Sequence, residues 1–198
     1  MTGLPYSQAC ENNKAPILDV LQRVFSSSRE VLEIGAGTGQ HATHFAEHLP
    51  HLTWRPSDIP ENLPVTLPRC QDYDGDNLAT PLALDVSDRP WPVAELPDGI
   101  FTANSFHIMP WSCVIAMFDE LGERARPHTR LAIYGPFNYG GRYTSASNAE
   151  FDQWLANRSP HSAIRHFEDV VELAVAAGFA LLEDNPMPAN NRLLVFAS

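Results

Sequence analysis

The segment that most constrains the fold is a β-rich run followed by a glycine-rich turn and an amphipathic helix. Residues 31–34 favour a short strand, Gly35, Gly37 and Gly39 follow at alternate positions, and residues 40–49 carry apolar side chains at helical spacing. Glycines at such a junction adopt positive φ and let a bound molecule approach the backbone closely. The segment therefore predicts a strand and helix of an α/β domain, with a small-molecule cradle between them.

The rest of the chain continues the alternation of strands and helices. Apolar residues at helical spacing occur at 11–25, 111–126, 148–156 and 167–177, and β-rich runs at 52–56, 81–86, 99–106, 131–134, 179–182 and 193–197. The Pro-rich residues 61–76 are consistent with a helix or a loop. Because no helix separates the last two strands, we expect them to pair antiparallel. The prediction is one Rossmann-like α/β domain over residues 1–198, with a mostly parallel sheet, helices on both faces and an antiparallel last strand.

Composition places the chain among globular proteins. Apolar residues make up 44% and charged residues 19% of the 198, and no window approaches the roughly 18 apolar residues of a membrane span. The first residues lack the charged head and apolar stretch of a signal peptide. We therefore expect a cytoplasmic protein without membrane contact. Cys10, Cys70 and Cys113 are isolated, which indicates reduced thiols and neither a disulfide framework nor a sulfur-rich metal site.

The charge balance argues against one class of partner. The chain has 24 acidic and 13 basic residues and a net charge of −11 with the histidines neutral. A field of that sign repels phosphate backbones. We therefore expect a small-molecule substrate rather than nucleic acid, while the sequence indicates no particular oligomeric state.

The glycine spacing distinguishes between two kinds of nucleotide ligand. Dinucleotide-binding loops favour G-x-G-x-x-G, whereas this loop is G-x-G-x-G after Glu33. That spacing points to S-adenosyl-L-methionine rather than to a pyrophosphate, and a simple tight turn is the alternative. Asp58 lies 19 residues after Gly39, at the end of the second strand, where a carboxylate can accept hydrogen bonds from both ribose hydroxyls. Asp85 ends the third strand and suits an adenine amino group, although either carboxylate alone is more typical of a helix cap.

A second motif overlaps the helix at 40–49. His44, Glu47 and His48 fit H-x-x-E-H, an inverted zinc-protease signature, and His41 lies one turn earlier. Such histidines share a metal only where their helix face borders a pocket with a third ligand. The sequence offers no partner motif, so we expect no metal and interpret these histidines as facing solvent.

On these motifs the chain resembles class I S-adenosylmethionine-dependent methyltransferases, and within them the family called domain of unknown function 938, relatives of methyltransferase-like protein 26. The resemblance extends from Glu11 to the C-terminus. The segments that carry it are 13–18, 39–41, 54–58, 84–86, Asn104 with His107, 134–137, 147–148 with 151–152, and 187–191. It implies a seven-stranded sheet, S-adenosyl-L-methionine as cofactor and S-adenosyl-L-homocysteine as product. Two positions depart from the relatives, since Asn12 replaces a frequent arginine and His166 replaces a frequent acidic residue.

Ligands of open α/β sheets lie beyond the carboxyl ends of the strands. The residues that we expect to contact the cofactor there are Asn13, included on the resemblance alone, and Glu33, Gly35, Ala36, Gly37, Gly39, Gln40, His41, Asp58, Asp85, Val86 and Asn104. Segments 137–143 and 186–191 are left for the methyl acceptor. Tyr139, Asn190 and Asn191 are the candidate substrate residues, with ordinary loop and turn residues as the alternative.

His107 is the candidate general base. It follows the fourth strand by a few residues, and an imidazole titrates near physiological pH. An acceptor hydroxyl or protonated amine needs such a base. An acceptor that is already nucleophilic needs no base, because alignment alone lowers the activation barrier by about 7–11 kcal/mol. A structural histidine is the alternative interpretation.

We expect a methyltransferase that acts on a small molecule. A methyltransferase of proteins or peptides is one alternative, which an exposed groove beside the cofactor would favour. A module that binds S-adenosylmethionine without transferring its methyl group is another, which an acceptor side blocked by bulky side chains would favour. The glycine spacing and the final strand pair disfavour a nicotinamide oxidoreductase.

Overall fold

Strands and helices alternate along the chain in the computed structural model, which describes residues 3–198. The strands are β1 (Glu30–Ile34), β2 (Thr53–Asp58), β3 (Leu82–Ala83), β4 (Gly99–Ala103), β5 (Arg130–Gly135), β6 (Phe137–Asn138), β7 (Arg165–His166), β8 (Ala180–Met187) and β9 (Asn191–Ala197). The helices are α1 (Gln8–Val24), α2 (Gln40–His48), α3 (Leu63–Gln71), α4 (Trp111–Arg124), α5 (Ala146–Arg158) and α6 (Phe167–Ala176). A 3₁₀ turn covers Pro188–Asn190. Within residues 3–198, no helix combines the length and the hydropathy needed to cross a bilayer.

Seven of the strands form one sheet in the order β3-β2-β1-β4-β5-β9-β8. The strands from β3 to β5 in that order pair in parallel, and β9 is antiparallel to both of its neighbours. The predicted fold class is therefore confirmed, including the antiparallel last strand. That strand lies one position inside the sheet, because β8 occupies the edge.

Three strands differ in length from the sequence prediction by three or more residues. The run at 99–106 forms only Gly99–Ala103, because the backbone leaves the extended conformation at Asn104, whose φ is +57°. The run at 81–86 forms only the two-residue β3, because the chain turns at Asp85, whose side chain accepts from the amide two residues later. The run at 179–182 extends to Met187, because β8 pairs with β9 up to the Met187↔Asn191 position. Pro186 is tolerated in β8 since an edge strand has one side without ladder hydrogen bonds.

Helices cover both faces of the sheet and enclose two apolar cores. Leu21 of α1 and Phe45 of α2 belong to the same buried cluster as Trp54 of β2. Met117 of α4 belongs to a second cluster with Phe196 of β9. Each of these side chains is fully buried, which stabilises the fold by about 1.5–3 kcal/mol per side chain. Since both faces are covered, the carboxyl edge of the parallel strands is the part of the sheet available to a ligand.

The carboxyl edge carries elements that the sequence pattern left open or missed. The Pro-rich segment contains α3, which tolerates Pro64 in its first turn, where a missing N–H costs little. The two-residue strands β6 and β7 pair in parallel outside the main sheet. The amide of Ile164, just before β7, donates to the Asp152 Oδ1 of α5 at 2.6 Å. This contact holds α5 close to β7, which pairs with β6.

Candidate functional site

The loop after β1 depends on three glycines with left-handed backbone conformations. The φ angles of Gly35, Gly37 and Gly39 are +75°, +55° and +73°, in a region that residues with a Cβ rarely adopt. A Cβ at Gly35 would lie 2.5 Å from the Ser105 Oγ, whereas a Cβ at Gly37 would meet no atom of the described residues within 4 Å. The backbone at Gly37 therefore borders open space in which a ligand can approach it.

Asp58 joins the end of β2 to this loop. Its Oδ2 accepts from the Gly37 amide at 2.7 Å, and its Oδ1 accepts from the Ile59 amide at 2.9 Å and the Asn62 Nδ2 at 3.0 Å. These bonds use three of the roughly four lone-pair positions of a carboxylate. The structure thus places Asp58, the predicted ribose ligand, directly against the glycine loop, and a ligand would share the carboxylate with that loop.

Asp85 and Val86 follow β3 in a turn. The Asp85 Oδ1 accepts from the Ser87 amide at 2.9 Å and from the Ser87 hydroxyl at 2.7 Å. Val86 is buried, and its carbonyl accepts from the Trp91 Nε1 at 3.2 Å. Asp85 therefore makes the contacts of a turn and caps no helix, since β4 is the next element among the described residues, and its contact with an adenine stays a prediction.

Glu33 is enclosed in the core beneath the loop. Its side chain is 1% exposed, and its Oε2 accepts from the Trp54 Nε1 at 2.8 Å. Burial raises the pKa of Glu33 to about 8, with a further rise from the charge of Asp58 and an opposing effect of the Trp54 hydrogen bond. The side chain is thus mostly protonated at pH 7. Its placement favours a structural role over the predicted contact with the cofactor.

Asn104 lies at the end of β4 in a strained backbone conformation. Its φ is +57°, a left-handed conformation that costs an L-residue about 1–2 kcal/mol, although asparagine tolerates it better than most. Its amide donates to the Tyr134 carbonyl of β5 at 2.9 Å. Strain of this kind concentrates at ligand sites, and here it lies between β4 and β5 on the same edge as the glycine loop.

His107, the predicted base, is buried beyond β4. Its ring packs edge-on against Phe151 of α5, with centroids 5.3 Å apart, and donates no side-chain hydrogen bond to residues 3–198. Burial, assisted by the charge of Arg165, lowers the pKa of His107 to about 4. Arg165 also donates from Nε to the Phe106 carbonyl at 2.8 Å and from Nη2 to the Met109 carbonyl at 2.7 Å. His107 is therefore neutral at pH 7 and sits in a loop that Arg165 holds from both sides.

Asn13, Gln40 and His41 connect α1 to α2. The Asn13 Oδ1 lies 2.7 Å from the His41 Nε2, and the Gln40 Oε1 accepts from the Ser7 amide and the Thr38 hydroxyl. Burial lowers the pKa of His41 to about 3, so its neutral ring donates to Asn13. The structure thus brings these three predicted residues to the loop but engages their polar atoms in packing α1 against it.

Tyr134 extends this polar contact across the sheet. It is 3% exposed at the end of β5. Burial raises its pKa, and the nearby side chains of Asn13 and Asn191 partly offset that rise. Tyr134 therefore lies between the α1 contact and the start of β9, where the predicted substrate residues begin.

The predicted substrate residues meet in a groove of about 390 Å³ at the carboxyl edge. Tyr139, Asn190 and Asn191 line it together with Thr144, Met187 and Arg192. Ala189 and Asn190 in its wall have φ angles of +57° and +59°, so this turn also holds strained residues. Sequence reasoning missed Thr144 and Arg192. Only their position in the sequence could have indicated them, since each directly follows a segment that we predicted to contact the methyl acceptor.

The histidines of α2 differ from the predicted solvent-facing arrangement. His48 is exposed and His44 is half-buried, but His41 is 4% exposed and stacks on Phe45 at 5.2 Å. Solvent exposure was therefore the wrong expectation for His41, because it lies on the apolar face of the helix. Ligand atoms of His44, Glu47 and His48 lie within 4.8 Å of one another.

Comparison with known proteins gives a family and a fold. The family model described as "Protein of unknown function (DUF938)" matches residues 4–198. An O-methyltransferase family protein from Burkholderia thailandensis is 17% identical, with a TM-score of 0.79, over 93% of this chain and 55% of its own. An O-methyltransferase family 2 protein from Planctomyces limnophilus, in complex with apigenin, is 18% identical, with a TM-score of 0.80, over 96% of this chain and 58% of its own.

A third solved structure is human N-acetylserotonin methyltransferase in complex with SAM. It is 14% identical, with a TM-score of 0.73, over 99% of this chain and 60% of its own. The chain thus spans somewhat more than half the length of each of the three proteins. The likenesses establish the class I methyltransferase fold.

Replacing Glu33 with glutamine should stabilise the protein in a pH-dependent way. The pKa of Glu33 in the folded state, about 8, lies above its ordinary value of 4.5. The wild-type carboxyl group therefore favours the folded state below pH 4.5 and loses that contribution as the pH rises toward 8. Glutamine keeps an acceptor for Trp54 without this loss. The gain in the free energy of unfolding should be larger at pH 8 than at pH 5 in urea titrations.

The matched control is Glu150→Gln, at an exposed position of α5. Its effect on stability should change little between the same two pH values. A Glu33→Gln effect that is equally independent of pH would contradict the assignment of Glu33 as a neutral buried acid.

Proposed function

The chain belongs to the family described as protein of unknown function DUF938 and has the class I methyltransferase fold, and on this premise we propose that it transfers a methyl group from S-adenosyl-L-methionine to a small molecule. The observation that carries the proposal is the contact between the glycine loop and Asp58. The loop offers open space at Gly37, and a buried carboxylate stands 2.7 Å from the Gly37 amide. Such a pairing fits a nucleoside whose sugar lies against the acid and whose remainder follows the loop.

The residues around the loop fall into two groups, those that would contact the cofactor and those that would hold the loop in place. Those that we propose to contact it are Gly35, Ala36, Gly37, Gly39, Asp58, Asp85, Val86 and Asn104. Asn13, Gln40 and His41 would act mainly by fixing α1 against α2, because their polar atoms already bond to one another or to the first turn of α1. Glu33 would support the loop from the core through its bond with Trp54.

When bound, S-adenosyl-L-methionine would supply a methyl carbon that its positively charged sulfur makes electrophilic. A lone pair of the acceptor would bond to this carbon. The electron pair of the broken carbon–sulfur bond would return to the sulfur, which leaves S-adenosyl-L-homocysteine. The protein mainly orients the acceptor. His107 is neutral at pH 7, since its pKa is about 4. A base this weak does not ionise a hydroxyl beforehand, but it can take the proton that a hydroxyl oxygen loses as the oxygen bonds to the methyl carbon. Its burial beside Phe151 limits contact with water.

The acceptor groove supports a small molecule as the substrate. Its volume of about 390 Å³ is within the range of small-molecule sites, and it lies beside the end of β5, where Arg192 pairs with Gly135. The net charge of −11 repels nucleic acids. We further propose that residues 1–198 carry this activity as one domain, because both apolar cores share one sheet.

The direct test of the function has two parts. Calorimetry with purified protein should detect binding of S-adenosyl-L-methionine. Incubation with the methyl-labelled cofactor and a pool of metabolites should then transfer label to a small molecule. Binding without transfer to any metabolite or protein would favour a binding module instead, and the absence of binding would contradict the proposal.

Asp58→Ala should weaken the binding of S-adenosyl-L-methionine by about 1–3 kcal/mol, because it removes hydrogen bonds of a carboxylate to the ribose. Calorimetry measures the dissociation constant, and circular dichroism confirms that the variant is folded. Asp19→Ala, at an exposed position of α1, is the control and should bind normally. Unchanged affinity in folded Asp58→Ala would refute the assignment of Asp58.

Gly37→Val should abolish cofactor binding, because the side chain would project into the open space at the loop. The φ of +55° at Gly37 also strains any β-branched residue. Gly178→Val is therefore the matched control, since Gly178 has a φ of +84° and open space but lies at the end of α6. Loss of affinity in both variants to the same extent would indicate general strain and contradict the cradle.

His107→Ala should lower the turnover by a factor of about 10² or more, the usual contribution of a general base, and leave cofactor affinity within about twofold. His107→Phe separates chemistry from packing, because it keeps a ring against Phe151. Both variants should be slow, and the wild-type rate should vary little between pH 6 and 8, since the pKa of His107 is about 4. Recovery of the rate in His107→Phe would show that packing alone matters.

A further inference from the structure

The acceptor groove carries a single charged side chain among its described lining residues. Arg192 is that residue, and the others are tyrosine, threonine, proline, methionine and asparagine. The chain as a whole has a net charge of −11. A cationic side chain in the acceptor groove of an acidic protein is therefore a feature that can select among substrates.

Neighbouring groups fix the orientation of Arg192. Its Nε donates to the Asp184 Oδ1 at 2.6 Å, and its Nη2 donates to the Asp184 carbonyl at 2.9 Å. The Tyr139 hydroxyl donates to the Asp184 Oδ2 at 2.9 Å, and the guanidinium lies 5.8 Å from the centre of the Tyr139 ring. Both oxygens of Asp184 are thus already in use, which holds the guanidinium plane in place without a ligand.

This arrangement leaves the far end of the guanidinium available. An arginine side chain has five N–H donors, and Asp184 takes two of them. The hydrogen bonds of the Arg192 side chain within residues 3–198 come from Nε and Nη2, so the donors on Nη1 and the second donor on Nη2 remain. Paired donors at fixed spacing match the two oxygens of a carboxylate.

Arg192 also lies on the same face of the sheet as His107. It pairs with Gly135 in the antiparallel ladder of β5 and β9, and paired residues project to the same face. A Cβ at Gly135 would lie 3.7 Å from the His107 Nδ1. An acceptor bound to Arg192 would therefore extend along the end of β5 toward the proposed base.

We propose that the methyl acceptor carries a carboxylate and that Arg192 anchors it in this groove. This inference rests on the proposed function, and the carboxylate is the anchor rather than the methylated atom. A single cation that shares its charge with Asp184 suits a ligand group of charge −1. A phosphate monoester carries nearly −2 at neutral pH, and the groove offers no second cation among its described residues. The Tyr139 ring, Pro186 and Met187 form apolar walls for the body of the molecule.

Binding of matched probe pairs tests the anchor without cofactor or turnover. The probes are benzoate, 4-hydroxybenzoate and phenylacetate, each with its primary amide, and phenyl phosphate. In ligand-observed NMR titrations of the wild-type protein, at least one carboxylate should bind ten or more times tighter than its amide. Because no methyl transfer is involved, failure of this test is distinguishable from failure of the methyltransferase assignment.

Two variants locate the binding. Arg192→Gln should reduce carboxylate affinity to that of the amide. Thr144→Glu places a negative charge in the groove at an exposed position, leaves Arg192 intact and should lower only carboxylate affinity, which keeps the test available if Arg192→Gln does not fold. The control is Arg126→Gln. Arg126 is an exposed arginine that lies just before β5 and pairs with Glu95, and its replacement should leave the affinity for every probe unchanged.

Three results would overturn the proposal. One is that no carboxylate probe binds tighter than its amide. Another is carboxylate binding that survives in both folded Arg192→Gln and Thr144→Glu. The third is phenyl phosphate binding ten or more times tighter than every carboxylate, which would assign the groove to a phosphate instead.

Discussion

The hydrogen bond from the Gly37 amide to the Asp58 carboxylate is the contact on which the candidate site depends. It joins the loop after β1 to the end of β2 at 2.7 Å, and the amides of Gly35 and Ala36 reinforce it by donating to the Ser57 carbonyl at 2.9 Å. The parallel pairing of β1 with β2 places these groups side by side, with Ile34 opposite Ser57. Any ligand that lies along the loop must therefore also meet Asp58, so the backbone cradle and the acidic partner act as one site.

The sequence was sufficient for the features that local pattern determines. Alternate glycines after a β-rich run imply positive φ angles, and all three glycines have them. The stripes of α1, α2 and α4 predicted which side chains enter the cores, because the period of 3.6 residues is set within each helix. The absence of a helix between β8 and β9 implied their antiparallel pairing, since a parallel pair needs a long crossover.

The features that the sequence did not reveal depend on contacts between distant segments. Glu33 lies in β1, which is buried on both faces, so no alternation of polar and apolar residues indicates that its side chain points to Trp54. The strands β6 and β7 have two residues each, too few for any periodic signal. Arg192 is an ordinary strand residue until Asp184 and Tyr139, from two other elements, fix its guanidinium group.

Polar side chains connect the glycine loop to the groove at the carboxyl edge of the sheet. His41 donates to Asn13, and the side chains of Asn13 and Asn191 lie near enough to Tyr134 to lower its pKa. Burying polar groups costs free energy unless each finds a partner, so the buried side chains of His41 and Asn13 stabilise each other only when α1 is packed against α2. Asn191 also lines the groove, so Tyr134 lies between that groove and the contact of α1 with α2. The glycine loop and the groove are thus neighbouring parts of one sheet edge, joined through Tyr134.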